Sequence, residues 1–220
     1  MSAWFQRRKK RNSLTGPAFI VIVLAGASFL LWQVFYSPAG VSQDVDLSIP
    51  AGSAAMVRID GGSSFVEIPG VGKLIEGESV RATRGSGTTL SFFDELILTL
   101  DAGTQITLER VRIRDADESV DIAVRIESGR VWASVPKKFN PRSAVVLQNE
   151  IFAIETSGGE ISFSADTARV AKGKAEVIIG ESEYVTLEVG QEITITAEQA
   201  EAIAAGAEGP EKSVLSAEFQ

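Results

Sequence analysis

The chain contains no cysteine and no histidine. The first absence excludes disulfides, thiolate nucleophiles and thiolate metal sites. The second removes the usual general base and the commonest metal ligand, so Ser-His-Asp and zinc hydrolases in their ordinary forms are excluded too. No aspartate or glutamate precedes Asp44, and no charge of either sign interrupts residues 17–36. Beyond that run, no sustained helical period occurs before Ala197. What remains reads as a protein that is not an enzyme and needs no cofactor.

The 220 residues are 45% hydrophobic, enough for a membrane segment and one modest core. Every basic residue before position 40 belongs to the cluster Arg7, Arg8, Lys9, Lys10 and Arg11. Past that cluster the balance is 16 basic residues against 29 acidic ones. Phosphate backbones repel such a domain, so no nucleic-acid partner is expected.

From Pro17 to Tyr36 the sequence reads PAFIVIVLAGASFLLWQVFY. As a helix rising about 1.5 Å per residue it spans about 30 Å, the thickness of a bilayer core. The segment is predicted to anchor the chain in a lipid bilayer. The basic cluster before it places residues 1–16 in the cytoplasm and the rest outside, as a single-pass protein of the cytoplasmic membrane. The rival reading is a signal peptide cleaved near Ser37-Pro38-Ala39, but the apolar run is longer than such peptides use. A flat patch at Ala25-Gly26-Ala27-Ser28 would let a second helix approach, which leaves a homo-oligomer open.

After a linker at 37–54, short apolar runs alternate with glycine turns over residues 55–196. Leu96, Leu98 and Leu100 share one face, as do Ile122, Val124 and Ile126, and then Val131, Ala133 and Val135. Ser128-Gly129 between the last two sets predicts a hairpin. Phe92-Phe93 would put one aromatic on each side of a strand. Near Glu109-Arg110 the apolar phase slips by one residue, which a bulge would repair. The expected fold is an all-β ectodomain, either an antiparallel sandwich or a stacked-sheet β solenoid, with one N-terminal transmembrane α-helix. Residues 197–220 read as a short helix followed by a loose tail.

The order of these pieces resembles the FecR-like domain. The resemblance opens with Lys73-Leu-Ile-Glu-Gly77-Glu-Ser-Val80-Arg-Ala-Thr83 and the segment Gly85 to Phe93. It continues through Val124 to Val135, Phe152-Ala-Ile-Glu-Thr156, Val170-Ala-Lys-Gly173-Lys-Ala-Glu-Val177 and Val185-Thr-Leu-Glu-Val-Gly190-Gln191. It implies a membrane-anchored β domain outside the cytoplasm and, for the best-known members, relay of a signal to a sigma factor. Residues 1–16 are too few for the folded anti-sigma region such members carry. The expected role is therefore non-catalytic binding of an envelope protein or polymer, with transmembrane signalling of the FecR type as the alternative.

Two places could carry specific chemistry. Asp115, Asp117, Glu118 and Asp121 gather carboxylates on a loop, the oxygen donors that calcium takes, though without the spacing of an EF-hand; a solvated acidic turn is the plainer reading. Trp132 lies out of phase with Val131 and Val135. It is exposed as a partner contact if the sheet is single, and buried if a second sheet covers that face.

Overall fold

Leu96, Leu98 and Leu100 are fully buried while Ile97 and Thr99 between them are not. The same two-residue period runs along most of the chain, because strand side chains point alternately to opposite faces. The computed structural model describes residues 40–205 other than 60, 86, 94, 115–117, 138–142 and 181, together with 213 and 214.

The chain is mostly β-sheet. Its first part forms β1 (Val41–Ser42), β2 (Val45–Ser48), β3 (Ala54–Arg58), β4 (Val66–Ile68), β5 (Val71–Leu74), β6 (Ser79–Arg84), β7 (Thr88–Phe92), β8 (Leu96–Leu100) and β9 (Gln105–Arg114). It continues as β10 (Ser119–Ser128), β11 (Arg130–Val135), β12 (Ala144–Gln148), β13 (Ala153–Thr156), β14 (Gly159–Ser164), β15 (Thr167–Ile179), β16 (Ser182–Glu188) and β17 (Gln191–Thr194). Helix α1 (Ala197–Ala204) and β18 (Ser213–Val214) complete it.

These strands form two sheets with a common core. Sheet A runs β4, β3, β6, β9, β10, β12, β13, β15, β16, and β1 pairs with β9 alongside β6. Sheet B runs β5, β2, β7, β8, β11, β14, β15, β17, β18. From β6 onward, strands join both sheets in chain order, so the sandwich grows like a stack. The 13-residue β15 belongs to both sheets. Sheet continuity there, and the Pro69-Gly70 turn joining β4 to β5, bring the pair close to a barrel. Leu47, Leu90, Leu98 and Phe163 from sheet B meet Val80, Ile122, Leu147 and Val177 from sheet A in one cluster. The Phe152 and Phe163 rings pack edge to face, with centroids 5.1 Å apart.

Several expectations need correction. The stretch 124–135 is not a hairpin: β10 pairs with β9 and β12, and β11 with β8 and β14. Ser128-Gly129 is a corner that hands the chain from sheet A to sheet B. Gly129 has φ +83°, and a Cβ there would lie 2.5 Å from the Thr104 Cα, so only glycine fits without strain. The corner is pinned because Thr104 Oγ1 accepts from the Arg130 N–H at 3.0 Å and donates to its carbonyl at 2.9 Å. The stretch 37–54 is only partly linker, because Val45 and Leu47 of β2 are in the core. Phe92 is buried, but Phe93 turns back at φ +54° and packs against the same core instead of the opposite face. Ser213 and Val214, expected in a loose tail, pair with β17.

Other features fall where the pattern put them. The register of β9 against β10 skips Glu109, the bulge that the phase slip required. Helix α1 begins with a capping box: Gln199 N–H donates to Thr196 Oγ1 at 3.3 Å, and Thr196 N–H to Gln199 Oε1 at 2.9 Å. Among the described residues no helix is long and apolar enough to cross a membrane. The span from Pro17 to Tyr36 and the cluster Arg7, Arg8, Lys9, Lys10 and Arg11 lie outside the described residues.

Candidate recognition face

Trp132 sits on β11 between buried Val131 and Ala133, so the alternation that buries them turns it outward. Trp132 is 38% exposed, whereas Ser162 directly beside it in the ladder is only 8% exposed. The second sheet packs on the opposite face, so the burial expected from a second sheet does not occur.

The ladder fixes its surroundings. Ser48, Thr89, Thr99, Trp132, Ser162 and Arg169 form one continuous cross-strand row over six strands. In the adjoining row Ile97 pairs with Ser91 on one side and Ser134 on the other. Ile97 is 43% exposed and diagonal to Trp132, within reach across a sheet. The face therefore presents two apolar side chains among hydroxyls, with Arg169 ending the first row and the Glu160–Lys172 ion pair following Ser134 in the second. Sequence reasoning singled out Trp132 but passed over Ile97. The signal was present as an apolar residue in the outward phase of LILTL, residues 96–100.

The outer face of sheet A is built differently. Arg58 donates to Ser79 Oγ at 2.8 Å and lies 3.7 Å from Glu127, which also accepts from Thr107 at 2.6 Å. Arg81 donates to Gln105 at 2.7 Å, and Gln105 donates to Glu127. The Arg81 guanidinium lies 4.4 Å from the Phe65 ring centre and that of Arg58 5.2 Å, two cation–π contacts on one ring. Glu109 accepts from both Arg125 and Gln148 at 2.5 Å. Arg112 Nε donates to Glu76 at 2.9 Å, and that bond holds the Glu76 carboxyl below its ordinary range and the Arg112 guanidinium above its own. Most charges on this face are engaged with each other.

Of the candidate carboxylates, Asp121 lies on β10 of this same sheet. Asp115 and Asp117 lie outside the described residues. Glu118 occupies a turn at φ +54°, and Asp121 lies 3.7 Å from Arg110 and 3.5 Å from Arg114. Asp121 therefore has two arginines as counter-ions. Among the described residues no group of three or more acidic, histidine or cysteine side chains could hold a metal ion.

A small polar cleft of about 170 Å³ opens beside Ser143, Glu155, Thr156, Ser157, Lys174 and Glu176. Glu155 and Glu176 stand directly opposite each other on β13 and β15. The Ser143 hydroxyl is occupied by the Val120 N–H at 3.0 Å, and Thr156 Oγ1 donates to the Lys174 carbonyl at 2.9 Å. These bonds brace the strands.

No protein family matches the chain, and no curated protein does. Among solved structures it is similar to a proposed anti-sigma factor from Parabacteroides distasonis, with 18% identity and a TM-score of 0.47 over 64% of this chain and 61% of that one. A second proposed anti-sigma factor from the same organism gives 16% identity and a TM-score of 0.43, over 58% of this chain and 65% of that one. The chain thus spans less than two thirds of either neighbour.

Proposed function

We propose that the β domain is a non-catalytic recognition module that binds an envelope protein or polymer through the outer face of sheet B. The observation that carries this reading is the exposed Trp132 diagonal to the exposed Ile97 on a face rich in serine and threonine. An exposed aromatic beside an aliphatic residue gives a partner an apolar anchor, and the surrounding hydroxyls supply orientation at little desolvation cost. In the same proposal, residues 17–36 hold the domain at a membrane with residues 1–16 in the cytoplasm.

The test is proximity labelling in living cells, with the labelling enzyme fused after Gln220. One set of envelope components should be enriched by the native chain and lost with Trp132→Ala, while Glu127→Ala on sheet A leaves it unchanged. Equal enrichment by all three chains would reject the face.

A second reading is relay of a signal to a sigma factor in the FecR manner. What favours it is the order of the sequence segments from Lys73 to Gln191, not the neighbours' names. Deleting residues 2–11 while localisation is preserved should then change transcription, and an unchanged transcript profile would remove this reading.

A further inference from the structure

The two ends of the stacked sheets are finished in different ways. At one end α1 places Ala200 and Ile203 against the core, and β18 continues sheet B past β17. A stack of this kind needs a polar cap, and the helix supplies one. At the other end sheet A stops at β4 and sheet B at β5. Among the described residues each of these strands has a neighbour on one side only. The open sides leave main-chain donors and acceptors without a ladder partner.

This end is also apolar. Ile59, Val66 and Val71 are 65%, 61% and 76% exposed. Of the eight large hydrophobic residues exposed among the described residues, these three lie on β4, on β5 or just past the end of β3, the strand next to β4. A concentrated apolar surface beside two open edges marks a contact site.

We propose that this end is the contact surface for a second copy of the same chain. An extended peptide completes one edge, but this end offers two, joined by the two-residue Pro69-Gly70 turn. A second copy carries two edges joined in the same way and can extend both sheets at once. The charges are self-complementary as well. Glu67 on β4 and Lys73 on β5 are both exposed, so a two-fold arrangement that sets β4 against β5 of the other copy brings each Glu67 toward a Lys73. Within the chain Lys73 lies 3.2 Å from Asp44, an exposed pair. This inference does not depend on the Trp132 face, which lies on other strands.

The chain has no cysteine, so one introduced thiol reports one contact. The full chain in detergent carrying Val71→Cys should give a disulfide-linked dimer under mild oxidation, at several times the yield of Val189→Cys in the β16–β17 turn. The double variant Val66→Lys, Val71→Lys should sediment at the monomer mass with an unchanged urea unfolding midpoint. Equal crosslinking of the two thiols, a dimer that survives the lysine pair, or a Val71→Cys adduct with a different protein would each overturn the proposal.

Discussion

The two outer faces of this sandwich share a core and a strand geometry, yet their chemistry is opposite. On sheet A the arginines of β3, β9 and β10 are matched to Glu76, Glu109, Asp121 and Glu127, while Arg81 of β6 donates to Gln105, a surface largely satisfied by itself. On sheet B the middle strands carry serine and threonine around Trp132 and Ile97. A face whose charges are already engaged must break those contacts to bind something else. A face of hydroxyls around two apolar groups gains by being covered. That difference is why the proposed recognition is assigned to sheet B.

The largest expected effect removes both faces together. Gly129→Val puts a β-branched residue at φ +83° against Thr104, at the corner joining the sheets. It should cost about 4 kcal/mol or prevent folding, as read by urea unfolding of the full chain. The next pair of variants separates inside from outside on one strand. Leu98→Ala should cost about 3 kcal/mol through the cavity it leaves, whereas Ile97→Ala, one residue away, should cost no more than about 0.5 kcal/mol. Comparable costs would mean that the outer face is not free.

Across the two faces, Trp132→Ala should weaken ligand retention about tenfold, or about 1.4 kcal/mol, with little change in unfolding midpoint. Glu127→Ala should do the reverse, costing about 1 kcal/mol of stability and no retention, because it strips acceptors from Thr107 and Gln105. If Glu127→Ala alone abolished retention, the assignment of faces would be inverted.

The smallest effect is the sharpest in pH. Glu76 is held ionised by Arg112, so its carboxyl titrates lower in the folded chain than in the unfolded one. A depressed folded pKa gives stability that is present above the unfolded value and lost as pH falls through the folded one. The pair is partly exposed, so Glu76→Gln should cost only a few tenths of a kcal/mol at neutral pH. It should also flatten the loss of stability on acidification. A native-like acid slope in Glu76→Gln would show that other carboxylates set it.

Much of the interior was legible because strand alternation is a local property. Leu96, Leu98, Leu100, Ile122, Val124, Ile126, Val131, Ala133 and Val135 are all buried, as period two required. The bulge at Glu109 was legible for the same reason, since a slip in phase can be repaired only by an extra residue. The turn at Ser128-Gly129 was legible as a break but not as a corner. A glycine at positive φ permits both, and the choice rests on which distant strands wait on either side. Of the two residues on which the proposed face rests, Trp132 was legible out of phase, and Ile97 was missed because it hid within a nearly continuous apolar run.

The sequence by itself determined that the chain is β-rich, which residues point inward along each strand, and where the chain breaks. Those follow from covalent geometry and hydrophobic period over a few residues. Only the tertiary structure decided which sheet each strand joins, that Trp132 remains uncovered, and that Asp121 faces two arginines. Those outcomes rest on pairings between residues far apart in the chain. No local period encodes such a pairing, because its energy exists only once the two strands have met.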